Sequence, residues 1–456
     1  MSYKLKNLLE SELKMKTVYL PLETFTREYL GKLALGLYLV EKDCAVVIGY
    51  NHLVRSFAIN SEKGNIYYET KGKSPKGMEH LGELRRKNIA LVGQDEEAGI
   101  SFLEFEDFAR QRPEITGTDY FEQFYSWGEP DFRLAKGSTS KSNILKTGSP
   151  RSVFWGEIGR RYYIEQINNY QKLYGDFIFL VSNFGGQNRI WSPKEDKKHN
   201  SSWGYSKEIE IDHAKRLAWE AQAFKSAVTL VRQILEHTKY KIVIRPHPGE
   251  NPLPWVNIFS KSPRVIVSKE GDSLPHLFAS KHVIHAGSTV GLESLLCRQS
   301  TISFQNLIGL SDFPMTANYY SVRPTDLSHL LNLIVEDKSY LAVNNFELDI
   351  KEKLTTYDDV SVLTSQSKAI GDLEFDSTIQ FENARKTLKD QILSNRYYSR
   401  LRYGKSSYTQ IHENKRPRMS LLKVQKDIKS LVRILELDIA VSAKELGEST
   451  FALTKV

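Results

Sequence analysis

Short apolar runs alternate with longer amphipathic segments along the first three quarters of the chain. Thr17–Leu22 is an apolar run typical of a buried strand, and in Glu23–Leu39 apolar residues recur at helical spacing. Cys44–Ile48 is the next apolar run, and it ends at a glycine. This order of strand, helix and strand predicts a β-α-β unit that opens a doubly wound domain.

The same alternation resumes after a helical connector at Glu157–Tyr174, with strands predicted at Asp176–Val181, Lys241–Ile244 and His282–His285. We therefore predict an α/β protein in which two Rossmann-like domains face a cleft. The predicted divisions are an N-terminal extension over residues 1–15, a first domain over 16–170, a second over 171–340, and a basic helical C-terminal extension over 341–456.

The composition is that of a protein working in a reducing aqueous compartment. The mean hydropathy is −0.41, and no apolar run is long enough to span a bilayer. The first 16 residues lack the apolar core of a signal peptide. Cys44 and Cys297 both lie in apolar segments, which favours two buried free thiols over a disulfide. We expect a cytoplasmic location.

The net charge of +8 is concentrated near the end of the chain. From Arg385 to Arg433 many lysines and arginines are interleaved with tyrosines. Such a segment is either a solvated helical surface or a contact for anions, including peripheral contact with the inner membrane surface. Because no nucleic-acid-binding motif is present, we expect no nucleic-acid partner.

The segment Lys241–Glu250 carries the first candidate chemistry. A predicted strand ends at Arg245, and His247 and Pro248 follow at once. Ligands bind at the carboxyl ends of strands in open α/β sheets. Prolines on both sides of the imidazole stiffen the backbone, so the loop can aim it. We predict a nucleotide-phosphate contact from this loop.

A second candidate lies in the predicted turn from strand to helix that follows His285. Gly287 permits close backbone approach, and Ser288 or Thr289 is a natural N-cap. Free amides at a helix N-terminus attract anions. Glu293, one turn further on, is placed either to orient a ribose hydroxyl or to act as a capping partner.

An amide-rich loop, Ser182–Asn188, follows the strand that opens the second domain. For Asn183 and Asn188, contact with a ligand competes with capping of the loop itself. The glycine pair between them favours the ligand. We assign Asn183 to the nucleotide and Asn188 to the substrate.

Candidate acid and base groups come from the first domain. They are Glu23 and Glu28, at the start of the first helix, and Glu97 in an acidic loop. The alternative is that these carboxylates only stabilise a helix dipole or face solvent. Arg27 and Lys32 are placed either to bind the carboxylate of an acidic sugar or to form helical ion pairs.

Six segments in this order resemble bacterial surface carbohydrate biosynthesis proteins: ETFTREYLGKLALGLYLVEKDCAVVIG, DEEAG, TGSPR, SNFGGQN, RPHPGENPLPW and HAGSTVGLES. Those proteins are similar to the GT-B glycosyltransferases of capsule and lipopolysaccharide assembly, which include Kdo transferases, sialyltransferases and CDP-glycerol polymerases. The resemblance covers roughly residues 16–310. It implies that His247, Pro248, Ser288 and Thr289 hold the phosphate and ribose of a nucleotide.

The resemblance of the RPHP segment implies the donor, and with it the expected activity: transfer of Kdo or a related ulosonic acid from a CMP-activated donor to a glycan or lipid-linked glycan acceptor. We expect no cofactor and no essential metal, because no Asp-X-Asp pair ends a strand and no His/Cys cluster shows ligand spacing. Three alternatives remain open: a CDP-polyol phosphotransferase-like enzyme, a UDP-sugar epimerase, and a non-catalytic nucleotide-binding scaffold of a polysaccharide assembly complex.

Overall fold

The computed structural model describes residues 16–61, 64–70, 79–96, 121–138, 142–190, 207–310, 315–336, 338–373 and 417–456. For 79–80, 138 and 207–213 it describes the backbone only. Glu97 and residues 385–416 of the basic segment lie outside these ranges.

The first unit is built on a sheet of eight strands in the order β12-β13-β2-β1-β3-β4-β5-β6, in which β12 is Val441–Gly447 and β13 is Thr450–Lys455. Strands β1 to β6 are parallel neighbours. The elements of this unit are β1 Thr17–Leu22, α1 Phe25–Glu41, β2 Ala45–Tyr50, α2 Asn51–Ile59, β3 Ile66–Glu69, α3 Glu79–Arg86, β4 Ala90–Gly93, β5 Gln123–Ser126, α4 Glu129–Ser138 and β6 Asn143–Lys146. A 3-10 turn at Pro150–Phe154 and helix α5 Glu157–Tyr174 lead to the second unit.

The second unit holds a parallel sheet of five strands in the order β11-β10-β7-β8-β9. Its elements are β7 Phe177–Val181, α6 Lys207–His237, β8 Lys241–Arg245, α7 Leu253–Phe259, β9 Val265–Val267, α8 Leu274–Ala279, β10 His282–His285, α9 Thr289–Leu296 and β11 Thr301–Ser303. A 3-10 turn at Gln305–Ile308 and helices α10 Thr316–Tyr320 and α11 Leu327–Val335 follow. The strand order reverses between β7 and β10, which is where such sheets bind ligands.

The apolar runs form strands because both faces of each sheet are covered. In β7, Phe177, Phe179 and Val181 belong to one core cluster, while Ile178 and Leu180 belong to another on the opposite face. A parallel strand buried on both sides needs apolar residues at every position. The predicted pair of Rossmann-like units facing a cleft is confirmed.

The chain returns to the first unit after α11. Helices α12 Phe346–Lys353, α13 Ser361–Gly371 and α14 Leu421–Ile434 are followed by the antiparallel hairpin of β12 Val441–Gly447 and β13 Thr450–Lys455. Strand β13 pairs with β2, so the end of the chain extends the first sheet. The prediction of a helical extension missed this hairpin, because its outer strand β12 is half exposed and mixes charged with apolar residues.

Helix α14 ties the two units together. The Asp427 carboxylate accepts hydrogen bonds from the Tyr29 hydroxyl of α1 at 2.7 Å and the Tyr162 hydroxyl of α5 at 2.8 Å. One core cluster includes Leu33 of α1, Phe179 of β7 and Leu431 of α14. The two units therefore share packed apolar surface beneath the cleft.

The two cysteines are buried and free, as predicted. Burial raises the pKa of the Cys297 thiol, which keeps it protonated and unreactive. Within the ranges described above, no helix is both long and apolar enough to cross a membrane.

Candidate functional site

A cleft with a volume of about 250 Å³ opens where the carboxyl ends of β7, β8 and β10 face the start of α1 and the turn after β6. The first unit lines it with Thr24, Thr26, Arg27, Leu30, Gly31, Arg151, Phe154 and Trp155. The second unit lines it with Val181, Ser182, Arg245, Pro246, His247, Pro248, Asp272, Ser273, Leu274, Ser288, Thr289, Val290 and Glu293. The structure therefore brings together seven of the predicted site residues: Arg27, Arg245, His247, Pro248, Ser288, Thr289 and Glu293.

Arg245 is held by the loop that follows β9. Its guanidinium donates to the carbonyl oxygen of Glu270 at 2.9 Å and to that of Gly271 at 2.5 Å. Burial lowers the pKa of Arg245, and the nearby Asp272 carboxylate opposes this effect. Asp272 in turn accepts a hydrogen bond from the Tyr163 hydroxyl at 2.6 Å. The guanidinium is thus held by two carbonyls of one loop, next to a carboxylate that a tyrosine holds in place.

The orientation of His247 is set by the backbone of its own loop. Its Nδ1 accepts the Gly249 N–H at 3.1 Å. A nitrogen that accepts a hydrogen bond is unprotonated, so in the neutral imidazole the proton is assigned to Nε2. The ring can therefore donate from Nε2 to an anion in the cleft.

A buried carboxylate that the sequence analysis did not select organises the surrounding loops. Glu250 is 0% exposed and accepts from the Ser182 hydroxyl at 2.7 and 2.8 Å, Asn188 Nδ2 at 2.8 Å and Trp255 Nε1 at 2.9 Å. It also accepts the Phe184 N–H at 3.1 Å. Asn188 is buried against this carboxylate and does not line the cleft, which corrects its predicted contact with substrate.

The start of α9 has the predicted N-cap. The Ser288 side chain accepts the Val290 N–H at 3.2 Å, and Thr289 is the first helical residue. Gly287 has φ of +85°, and an added Cβ would lie 2.9 Å from Asn318 Nδ2. Neither Gly287 nor Asn183 lines the cleft. Asn183 Nδ2 donates to the Gly287 carbonyl at 3.2 Å, so Asn183 supports the turn, and its predicted nucleotide contact stays a prediction.

His285 stabilises the same turn from inside the core. Its Nδ1 accepts the Gly287 N–H at 3.1 Å, and its Nε2 lies 2.9 Å from the Ser321 hydroxyl. Burial lowers the pKa of His285 to about 3, so the ring is neutral at physiological pH. Its role is structural.

Arg151 is the main lining residue that the sequence analysis missed. It belongs to the first unit, yet its Nη2 donates to the Glu293 carboxylate in the first turns of α9. The guanidinium lies 5.2 Å from the Trp155 ring and 5.7 Å from the Trp127 ring, and Nη1 donates to the Glu96 carbonyl at 3.3 Å. The only signal in the sequence was a basic residue just after a strand end in TGSPR.

The structure describes two of the three predicted catalytic carboxylates, Glu23 and Glu28. Glu28 is 1% exposed and caps the first helix, accepting the Glu23 N–H at 2.8 Å, the Thr24 N–H at 3.1 Å and Arg27 Nη2 at 2.8 Å. Neither Glu23 nor Glu28 lines the cleft, and Glu97 lies outside the described residues. For Glu28 the geometry agrees with the capping alternative.

Lys32 is also displaced from its predicted place. Its side chain is 1% exposed and lies behind the cleft wall, with Nζ 3.5 Å from Glu96 Oε1 and 4.1 Å from the centre of the Tyr68 ring. Burial raises the pKa of Glu96, and the Lys32 ammonium opposes this effect. Lys32 does not line the cleft, and its predicted contact with a substrate stays a prediction. Arg27, five residues earlier in the same helix, does line the cleft.

The part of the chain that the structure describes contains no group of three or more His, Cys, Asp and Glu side chains able to hold a metal ion. The expectation of metal-independent chemistry stays a prediction.

No protein-family model matches the chain, and no curated protein matches it. Similar solved structures include a variant of the wall teichoic acid polymerase TagF with CDPG, at 11% identity and a TM-score of 0.44, covering 84% of this chain and 91% of that one. UDP-GlcNAc 2-epimerase of Methanocaldococcus jannaschii has 13% identity and a TM-score of 0.41, covering 84% and 100%. S. aureus MnaA with UDP has 11% identity and a TM-score of 0.39, covering 93% and 98%. These values are too low to assign a function, so the functional argument rests on the cleft.

Proposed function

We propose that this chain is a glycosyltransferase of bacterial surface polysaccharide synthesis that binds a nucleotide-activated sugar in the cleft between its two units. One observation carries the proposal: Arg245, His247 and the N-terminus of α9 face Arg27 and Arg151 across a single cleft. Cationic side chains from both units therefore converge on the N-terminal end of a helix, which is itself favourable for an anion.

This arrangement suits the departure of a phosphate. In glycosyl transfer the bond between the anomeric carbon and the phosphate oxygen breaks, and its electron pair stays on the phosphate. Donors held in place before the reaction stabilise that developing charge. His247 would donate from Nε2, and Arg245 would add a fixed positive charge. The free amides at Ser288 and Thr289 would complete the phosphate site.

For the donor we propose a CMP-linked ulosonic acid such as Kdo. The support is the resemblance of the RPHP and AGST segments, together with the position of Arg27 and Arg151 on the first-unit side of the cleft. A guanidinium pairs well with a carboxylate, which these sugars carry beside the anomeric carbon. Glu293, held by Arg151, would accept a hydrogen bond from a ribose hydroxyl.

A second candidate function is a nucleotide-binding scaffold without turnover. Among the described residues, the carboxylates that line the cleft are Asp272 and Glu293, and both are engaged by other side chains. A base for the acceptor hydroxyl is therefore not evident among them. A scaffold would bind the nucleotide and leave the sugar attached to it.

Titration calorimetry with CMP, CDP and UDP, followed by a donor-hydrolysis assay with CMP-Kdo, tests these functions. We expect CMP to bind the wild type and to bind His247→Ala at least about tenfold more weakly, the usual size of a lost hydrogen bond to a charged group. His237→Ala is the matched control, because His237 is exposed at the end of α6.

Each outcome selects one interpretation. Release of Kdo from the donor supports the transferase. Binding of CMP without release favours the scaffold, and preferential binding of CDP favours a CDP-polyol donor. If none of the three nucleotides binds the wild type, the proposed function is wrong.

A further inference from the structure

Lys269 holds the loop of residues 247–250, which carries His247, through two hydrogen bonds. Its Nζ donates to the Pro248 carbonyl at 2.9 Å and to the Glu250 carbonyl at 2.7 Å. These carbonyls flank Gly249, whose N–H fixes the imidazole of His247. One ammonium group therefore binds the carbonyl of the peptide whose N–H orients the ring, and also the Glu250 carbonyl that follows.

The Glu250 carboxylate, at the end of the same loop, holds it as well. This carboxylate accepts the His247 N–H at 3.4 Å and connects the loop to Ser182 and Asn188. A nearby positive charge further stabilises a buried carboxylate that accepts hydrogen bonds from neutral donors. Lys269 supplies that charge without lining the cleft.

We propose that Lys269 is a positioning residue: it holds residues 247–250 in the shape that turns Nε2 of His247 towards the phosphate of a bound nucleotide. The proposal rests on the proposed function only for the identity of the ligand. The contacts of Lys269 with the loop are independent of it.

The charge of Lys269 makes the proposal testable by pH. Burial lowers the pKa of Lys269 to about 8, and the charged groups that act on it are the Glu250 carboxylate, which opposes this effect, and the Arg245 guanidinium, which adds to it. Above this pH the amine is neutral, is a weaker donor and no longer attracts an anion. CMP affinity should therefore fall as the pH rises through about 8.

The experiment compares wild type, Lys269→Met and Lys269→Arg, with Lys261→Met as an exposed control from the neighbouring loop. CMP affinity is measured by calorimetry from about pH 6.5 to 9.5, a range that spans the charge change of a lysine with a lowered pKa. Amide hydrogen exchange of the peptide covering 246–251 is followed in the same proteins without ligand. Lys269→Met should bind CMP about tenfold more weakly and exchange faster in this peptide. Lys269→Arg should bind without the alkaline loss, because arginine stays charged.

The two readouts separate the two proposals. If the wild type binds no CMP, the proposed function fails, and the exchange rates alone decide the role of Lys269. If CMP binds but Lys269→Met matches the wild type in affinity and exchange, the positioning role is wrong and the proposed function stands. Should Lys269→Met fail to fold, the pH profiles of wild type and Lys269→Arg decide, and identical profiles would overturn the proposal.

Discussion

Arg151 and Glu293 form an ion pair that joins the two units at the cleft, with side-chain exposures of 15% and 9%. The arginine comes from the turn after β6, and the glutamate from α9. Burial raises the pKa of the Glu293 carboxyl, and the Arg151 guanidinium opposes this effect. The glutamate proposed to contact the ribose therefore depends on a residue from the opposite unit.

Replacing Arg151 with methionine should be costly for this reason. The variant leaves a largely buried carboxylate without its cation, and we expect the free energy of unfolding to fall by about 3 kcal/mol. Adding Glu293→Gln to Arg151→Met should recover part of the loss, because the charge is removed. Urea unfolding of both single variants and the double variant measures the coupling.

The exposed pair Arg133–Glu129 provides the control, because its arginine side chain is 71% exposed. Arg133→Met should cost only about 0.5 kcal/mol. Equal losses at Arg133 and Arg151 would show that the pair at the cleft contributes no more than a surface contact.

The hydrophobic pattern was sufficient to predict most of the fold. The predicted strand Thr17–Leu22 agrees with the structure, and so does His282–His285. The central strands of both sheets are buried on two faces, so apolar residues follow one another without interruption in their sequences. The hairpin at the end of the chain was missed because its outer strand, β12, is half exposed and mixes charged with apolar residues.

Gly31 tests how closely α1 packs against the turn that carries Arg151, and Gly82 in α3 is its control. A Cβ on Gly31 would lie 2.7 Å from the Arg151 backbone nitrogen and 2.8 Å from the carbonyl carbon of Pro150, so Gly31→Ala should push the turn away. We expect a loss of about 1–3 kcal/mol in the free energy of unfolding.

Gly82 lies in the middle of α3, where the nearest atom to an added Cβ is the end of the Arg86 side chain at 3.6 Å. Gly82→Ala should stabilise the protein by about 0.5–1 kcal/mol through helix propensity. Chemical denaturation measures both variants, and the opposite signs are the prediction. A neutral Gly31→Ala would mean that the helix and turn are not in close contact.

The site was predictable only where residues follow strand ends in sequence. Arg245, His247, Ser288 and Thr289 were found because the carboxyl ends of parallel strands share one edge of a sheet. The role of Arg151 depends on how the second unit packs against the first, and no local sequence pattern contains that information. Glu28 was misleading because a carboxylate in the first turn of a helix serves capping and catalysis equally well in a sequence.

The lowered pKa of His285 predicts that the free energy of unfolding falls in acid. Its folded pKa of about 3 lies below the usual value of 6.5, so between these values the unfolded chain binds the proton and the native state does not. Its contribution is complete above pH 6.5 and is lost as the pH falls towards about 3. The expected slope for one histidine is about 1.4 kcal/mol per pH unit.

Urea unfolding at a series of pH values from 7 down to about 4.5 measures this slope, over a range in which the unfolded histidine becomes charged. His285→Gln should be less stable at neutral pH, because the buried bonds to Gly287 and Ser321 are altered, but its decline in acid should be shallower. The remaining decline should include His276, whose pKa burial lowers to about 4. His237→Gln, at an exposed position, controls for the effect of replacing a histidine on the surface. An unchanged slope in His285→Gln would mean that this ring titrates normally in the native state.

Comparing Ser288 with Asp326 separates the structural role of an N-cap from contact with a ligand. Ser288 caps α9 in the cleft, and Asp326 caps α11, accepting the His329 N–H at 2.9 Å, away from the cleft. Substitution of either residue by alanine should lower the free energy of unfolding by about 1 kcal/mol. Only Ser288→Ala should weaken CMP binding, by about tenfold, because a hydroxyl at a helix start that faces the phosphate site is lost. Ser288→Thr keeps the hydroxyl and should restore both properties. Calorimetry and urea unfolding of the three variants measure the two effects, and equal CMP affinity in Ser288→Ala and Asp326→Ala would place the phosphate elsewhere in the cleft.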